Sequence, residues 1–469
     1  MSESKKDILS TTDSAVVQEW LRTQPDHSLS LIAQECGAQE ISEKPDQARD
    51  QLRVEVTPLV EGHVGGMGDV TRMYVWFTGE ESRPAEATPF VMKIVVPGRL
   101  WISKMHGLTR EVEVYKRQLL SSNEKELVGD VIDGVRVFVF NSVTPTVYAA
   151  DSDPESGAKR VIMKDLSKEC LESGYFVGAS HTPLNAAKNV DEVLVKTYGD
   201  VSKAPSQAEV MKRSFVQAAR IHAHHWNAPA LLDNTWLRNA DFYKDAVNGE
   251  TENARYDQTC QYLINKWVNE VRPSLSQDPD CENYYIADDT VRWSKLLVGL
   301  IDVSLSPERT SWLSYATHLL KRPYTFIHGD FHPGNMMVRT KDGEVVLLDL
   351  ELVGIGSGPQ DPAQYVMSHV SPAHFQEVVD TALRAYYDEL HSTWAVIDEG
   401  DEDKRKAREE YDFEKCLQDY VVGGLGKWLW LMVVMSKGKA AAILPPKMMG
   451  YFVEQVSCEL LLEAFLLPL

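Results

Sequence analysis

The feature that most constrains this chain is a change of periodicity part-way along it. Residues 52–60, 69–78 and 88–96 are short runs rich in Val, Tyr, Phe and Thr, separated by turn residues, and they read as strands. Ser103–Leu120 reads as a helix. Arg136–Phe140, Pro145–Ala149 and Arg160–Met163 are further strand-like runs, with the turn D-S-D-P-E-S-G between the last two. After residue 170 helical patterns take over, at 186–195, 205–226, 251–271, 290–303, 308–321, 372–390, 404–436 and 448–465. Strands first and helices later predict an α+β protein, with a small β-rich N-lobe at 51–165 and a larger helical C-lobe at 166–469. Residues 1–50 read as an N-terminal extension with one short helix, Ser14–Arg22. There Val16, Val17, Trp20 and Leu21 share a face behind Asp13 as N-cap.

One β island interrupts the helices, at Phe326–Asp330, Met336–Arg339 and Val345–Leu350. It reads F-I-H-G-D-F-H-P-G-N-M-M-V, then K-D-G-E-V-V-L-L-D-L-E, and sets Asp330, Asn335 and Asp349 at the ends of short strands. H-x-D-x-x-x-x-N followed by a strand-end Asp matches the catalytic loop and metal-binding Asp of phosphoryl transfer. That chemistry needs one carboxylate at the attacking hydroxyl and hard oxygen ligands for Mg²⁺. The competing reading is a hairpin whose Asp and Asn only satisfy turns.

Three more elements fall in the order this chemistry requires. Lys93 lies inside the apolar strand P-F-V-M-K-I-V, where a lone ammonium is costly to bury. Glu111 follows on the next helix as its candidate ion-pair partner, with Glu113 as the rival and a solvated helix face as the alternative to both. The turn at 61–68 contains Gly65 and Gly66, which let backbone N–H groups approach phosphate oxygens; a simple hairpin loop is the alternative.

H-G-D-F-H-P-G-N at 328–335, L-L-D-L-E at 347–351 and G-P-Q-D-P-A at 358–363 resemble the aminoglycoside phosphotransferase and choline kinase-like superfamily. R-E-V-E-V-Y at 110–115, M-K-D-L at 163–166 and H-A-H-H-W-N at 222–227 are most similar to its ecdysteroid kinase-like branch. The resemblance implies a protein-kinase-like two-lobed fold and transfer of the γ-phosphoryl group of ATP, with Mg²⁺, to a hydroxyl of a small molecule. It implies Asp330 as catalytic base, Asn335 and Asp349 as Mg²⁺ ligands, and Lys93 with Glu111 as the phosphate-anchoring pair. His328 and Asp361 would brace the catalytic segment. Lys164 and Asp165 lie in the segment that would hold adenine. The chain departs from the pattern at Leu350, where the family often has an aromatic residue, and at Lys164, where it often has an acidic one. These departures bear on the neighbourhood of Glu351 and on the hinge.

The net charge is −21, which disfavours nucleic acid and anionic membrane and raises the local concentration of cations. It fits a soluble surface, or a site for an amine or quaternary ammonium. The six cysteines form no C-x-x-C pair, which argues against a zinc site or a disulfide framework. The first residues lack the apolar stretch of a signal peptide, and the run Trp428–Met435 is too short to span a membrane. The expected location is the cytoplasm, and the oligomeric state is left open. His222 and His225 share a helix face, yet no further ligand nearby makes a zinc set, so a packing role is expected. His332 either contacts substrate or fills its turn. Trp394, Trp428 and Trp430 read as core rather than as a cation-binding pocket. The acidic run 398–403 reads as a solvated loop. Sterols, choline-like amines, aminoglycosides and sugars are all open as acceptors. A catalytically weak nucleotide-binding scaffold and a non-kinase binding protein are the alternatives; the short path from Asp349 to Asp361 disfavours a protein kinase.

Overall fold

The computed structural model describes residues 4–59, 69–77, 82–120, 130–132, 135–137, 143–177, 190–277, 283–286, 292–306, 309–370, 374–397, 406 and 408–435. The glycine turn with Gly65 and Gly66, the acidic run 398–403 and the expected helix 448–465 lie outside these residues. The chain divides into two compact units. Unit 1 is Met1–Leu171 with Val346–Leu352, and unit 2 is Glu172–Val345 with Val353–Leu469. The protein is α+β: an antiparallel sheet in unit 1 and mostly helices in unit 2.

Unit 1 is built on a five-stranded antiparallel sheet. Its strands are β1 (Arg53–Pro58), β2 (Asp69–Trp76), β3 (Thr88–Ile94), β6 (Val147–Asp153) and β7 (Ala158–Lys164), with β4 (Asp130–Ile132) and β5 (Val135–Val137) pairing separately. The sheet order is β1-β2-β3-β7-β6. Alternation gives each face its own role. Phe90, Met92 and Ile94 of β3 and Ala158 and Ile162 of β7 enter a core with Leu9, Val17, Trp20, Leu21, Leu29, Ile32, Ala33 and Ala48. Lys93 and Lys159 point the other way. Lys93 pairs with Val161 across β3 and β7, and Lys159 stands two residues from Val161, so the register sets both ammonium groups on one face.

Residues 4–51 are therefore more than an extension with one helix. They form five helices: α1 (Lys5–Leu9), α2 (Ser14–Arg22), α3 (Asp26–Glu35), α4 (Gln39–Ser42) and α5 (Pro45–Gln51). Each supplies apolar side chains to the unit 1 core or packs against it. Arg160 ties them to the sheet: its guanidinium donates to the carbonyls of Ile8 and, at 2.7 Å, of Thr11, and it lies 4.9 Å from the Trp20 ring centre. Ser103–Leu120 is likewise not one helix. Gly107 (φ 63°) takes the left-handed conformation that closes α6 (Leu100–His106), and α7 (Arg110–Leu120) starts afresh, with Glu111 in its first turn. α7 packs on β6 and on Leu350–Leu352.

In unit 2 the long helix Gln207–His225 packs against Arg384–Ile397. Three helices were not expected from the sequence, Gly174–Val177, Ala240–Asn248 and Gln360–His369. The expected helix 290–303 begins only at Lys295, because Arg292–Ser294 joins Asn283–Ile286 and Leu275–Gln277 in a small antiparallel sheet. Strand Thr325–Ile327 pairs antiparallel with Gly354–Gly356, which brings together the strand that leads into Asp330 and the strand that leads into Asp361. Among the described residues no helix is long and apolar enough to cross a membrane.

The role of the N-terminal helices is open to a direct test. Leu21 is fully buried in the unit 1 core. Leu21→Ala should lower the unfolding free energy by about 2–5 kcal/mol in a urea titration. A loss below about 0.5 kcal/mol would be the result expected of a surface position and would detach these helices from the core.

Candidate functional site

Two constellations stand out, one in each unit. In unit 1 the two lysines of the α7-facing side of the sheet meet three carboxylates. Lys93 Nζ lies 3.0 Å from Glu111, 2.8 Å from Asp349 and 2.9 Å from Glu351. Lys159 Nζ donates to Glu111 Oε2 and, at 2.6 Å, to Glu351 Oε1. The Tyr115 hydroxyl, one helical turn from Glu111, donates to Glu111 Oε1 at 3.4 Å. Glu111 and Lys159 are fully buried, while the Asp349 side chain keeps 35% of its surface exposed. Glu113 is half-buried and is not among the carboxylates within ion-pair distance of Lys93.

The charges in this cluster do not balance. Two ammonium groups face three carboxylates, and Lys159 touches Glu111 and Glu351 but not Asp349. Burial works against ionisation of Glu111 and Glu351, yet Lys159 and Lys93 overcome it; Glu351 is held down to about 2. Burial would likewise lower Lys93, but Asp349, Glu111 and Glu351 hold it well above its ordinary value. The deficit falls on Asp349. Burial raises its pKa, and Glu351 and Glu111 add to the rise against the pull of Lys93. Asp349 also has φ 61°, a left-handed backbone uncommon outside glycine. An under-compensated, partly exposed carboxylate is the kind of donor a hard divalent cation takes. Glu111, Asp349 and Glu351 present oxygen atoms within 4.8 Å of one another, but the two ammonium groups already occupy the Glu111 and Glu351 side of that set.

In unit 2 the segment after strand Thr325–Ile327 is clamped from its backbone. The buried Asp361 carboxylate accepts from His328 N–H at 2.7 Å and Gly329 N–H at 3.0 Å, and lies 3.3 Å from His222 Nε2. His222 Nδ1 is in turn 2.9 Å from the Tyr386 hydroxyl. Burial alone would raise the Asp361 pKa, but the His222 and backbone donors outweigh it and hold the carboxyl low. His328 Nδ1 accepts from Asp330 N–H at 3.3 Å. The Asp330 side chain is held at both oxygens: Gln364 Nε2 donates to Oδ1 at 2.7 Å and Asn335 Nδ2 to Oδ2 at 3.1 Å. Asn335 Nδ2 also donates to the Asp330 carbonyl at 3.0 Å, and the amide oxygen of the same side chain is an acceptor of the kind that suits a hard cation. His332 Nε2 is 3.5 Å from Asp330, and its ring stacks on His369.

Lys159 and Gln364, which hold these carboxylates in place, were not expected from the sequence. Lys159 sits one position before the run assigned as strand. Gln364 is three residues after Asp361, a spacing that puts both on one face of helix Gln360–His369. The adenine-segment candidates have partners within unit 1: Lys164 Nζ lies 2.7 Å from Glu169, and Asp165 accepts from Arg72 at 3.0 Å. Trp394 is buried against Trp226 and His391. Trp428 and Trp430 lie on helix Phe413–Met435, with side chains outside the description. Among the described residues the His222–His225 face belongs to no metal-binding group.

The carboxylate–lysine cluster sets a pH response. The ordinary Glu351 value is 4.5 and the folded value about 2, so its contribution to stability is complete above about pH 4.5 and is lost as the pH falls toward 2. Urea midpoints measured from pH 6 down to pH 3 should therefore fall less steeply for Glu351→Gln than for the parent chain. Equal slopes would remove Glu351 from the ion-pair account.

Residues 272–399, which carry Asp330, Asn335, Asp349, Glu351 and Asp361, match the sequence model of the phosphotransferase enzyme family. No curated protein sequence matches the chain. Among solved structures, an aminoglycoside-3'-phosphotransferase of type VIII is similar at 14% identity, with a TM-score of 0.33 over 74% of this chain and 93% of that one. An ethanolamine kinase of Plasmodium vivax is similar at 8% identity and TM-score 0.37, over 87% and 84%. A choline kinase from Streptococcus pneumoniae is similar at 11% identity and TM-score 0.37, over 89% and 99%. Over residues 272–399, then, the chain is similar to phosphotransferases.

Proposed function

We propose that this chain is a small-molecule kinase that uses MgATP to phosphorylate a hydroxyl group. The observation that carries the reading is the uneven charge balance around Lys93: a lysine held by carboxylates on a rigid strand, beside an aspartate left short of positive charge. Lys93 would bind phosphate oxygens while Glu111 keeps it in place. Asp349 and Asn335 would hold Mg²⁺, which supplies neutralisation of the transferring phosphates. Asp330, oriented by Gln364 and Asn335, would accept the proton of the attacking hydroxyl. Asp361 fixes the backbone on which Asp330 rides. Gly65 and Gly66 would contribute backbone N–H groups to the phosphates. The segment of Lys164 and Asp165 would offer backbone groups to adenine.

The finer resemblance, to the ecdysteroid kinase-like branch, rests on the segments at 110–115, 163–166 and 222–227. Cationic and steroid-like acceptors both remain in the reading, and the net charge of −21 favours a cation. The cytoplasm is the compartment proposed.

Purified protein, screened with ATP against hydroxyl-bearing amines, sterols, sugars and aminoglycosides, should transfer phosphate to one class in a Mg²⁺-dependent way. Asp330→Asn should lower kcat by about 10²–10⁴-fold and leave MgATP binding in place. Asp349→Asn should weaken nucleotide binding in Mg²⁺ and raise the Mg²⁺ concentration required. A shifted Mg²⁺ requirement in Asp330→Asn alone would exchange the two roles. Transfer unaffected by either substitution would refute the kinase reading.

A further inference from the structure

Lys159 is fully buried, and the kinase chemistry assigned above does not use it. We propose that Lys159 is a positioning residue for nucleotide binding: it retains Glu111 and Glu351 so that Lys93 and Asp349 are left for phosphate and divalent cation. The inference rests on the kinase reading and goes beyond it, because nothing in phosphoryl transfer itself calls for a second lysine here.

The argument is one of partition. Lys93 contacts Glu111, Asp349 and Glu351 together, and an ammonium group has only three hydrogens to donate. Turning toward a phosphate oxygen requires it to loosen at least one of these contacts. A carboxylate released in this buried cluster needs another cation. Lys159 is placed to be that cation, with Glu111 and Glu351 already in contact. The sheet register keeps it there: Lys159 stands on the same face as Lys93, on the neighbouring strand. Once Asp349 faces a metal, Lys93 and Lys159 together match Glu111 and Glu351 in charge, and Lys159 keeps its contact with both carboxylates when Lys93 turns to phosphate. Without Lys159, Lys93 would be, among the described residues, the only ammonium in contact with Glu111 and Glu351, and phosphate would compete with them for it.

A purely structural ion pair predicts something different, namely lost stability with unchanged nucleotide affinity. The test uses the full chain as Lys159→Met, Glu351→Gln and the double variant. Binding of a fluorescent ADP analogue is measured in Mg²⁺ and in EDTA, well below each thermal midpoint, and kcat and KM for ATP are measured alongside. Lys159→Met should raise the nucleotide Kd about tenfold or more. In the Glu351→Gln background, where one carboxylate no longer competes, the same substitution should change Kd by less than about threefold. A lowered thermal midpoint with unchanged Kd would overturn the proposal, and so would an equal effect of Lys159→Met in both backgrounds. Should Lys159→Met fail to fold, the double variant decides: binding tenfold weaker than Glu351→Gln alone overturns it. A parent chain that neither binds the analogue nor turns over ATP sinks the kinase reading itself, which none of the variant outcomes does.

Discussion

An ammonium group removed from water must be met by carboxylates, and unit 1 does this twice on one side of one sheet. Lys93 and Lys159 are costly to bury alone, and each pays for the other's partners: Glu111 and Glu351 serve both. The arrangement constrains much of the unit. The register between β3 and β7 must hold, since a slip of one residue would send one lysine to the opposite face. α7 must begin at Arg110 for Glu111 to face the sheet, which is why Gly107 closes the preceding helix. The opposite face must be covered by apolar material, and the N-terminal helices cover it.

Unit 2 solves a different problem with the same economy. A carboxylate that takes a proton from a hydroxyl has to be aimed, and Asp330 is aimed through both of its oxygens. Its backbone is aimed as well, by a second, buried aspartate that spends its charge on two N–H groups and a histidine. Asp361 never needs to approach a substrate to matter. Its low pKa is the mark of a carboxylate fully used by its neighbours, whereas the raised pKa of Asp349 marks one that is not.

The residues legible in the sequence were those whose chemistry contradicts their local pattern. Lys93 in an apolar strand and the Asp and Asn side chains at strand ends are visible because hydrophobic periodicity cannot account for them. Lys159 lies one residue before the strand-like run Arg160–Met163, beside a second cation, so no apolar neighbours on both sides set it apart as they do Lys93. Lys159 and Arg160 are buried, each on its own face. Gln364 was hidden by the missed helix Gln360–His369, where the proline at 362 falls in the tolerated first turn but reads as a breaker. The helices of residues 26–51 are short and polar, and their stability comes from the sheet they pack on, so local propensity says little about them. The π-helical turns at Trp267–Val271 and Val379–Leu383 are continuous with their neighbours and leave no sequence signature of their own.

The seven-residue return of Val346–Leu352 to unit 1 has a consequence for the order in which the molecule can be made. Asp349 lies 256 residues beyond Lys93, and Glu351 lies 192 beyond Lys159. A chain growing from its N-terminus acquires both lysines and Glu111 long before it acquires the other two acids. Until the ribosome has passed residue 352, the lysine face of the nascent sheet holds two ammonium groups and one of their three carboxylates. The first unit to be synthesised is thus the last to complete its ion-pair set, and much of the second must already exist as polypeptide when it does.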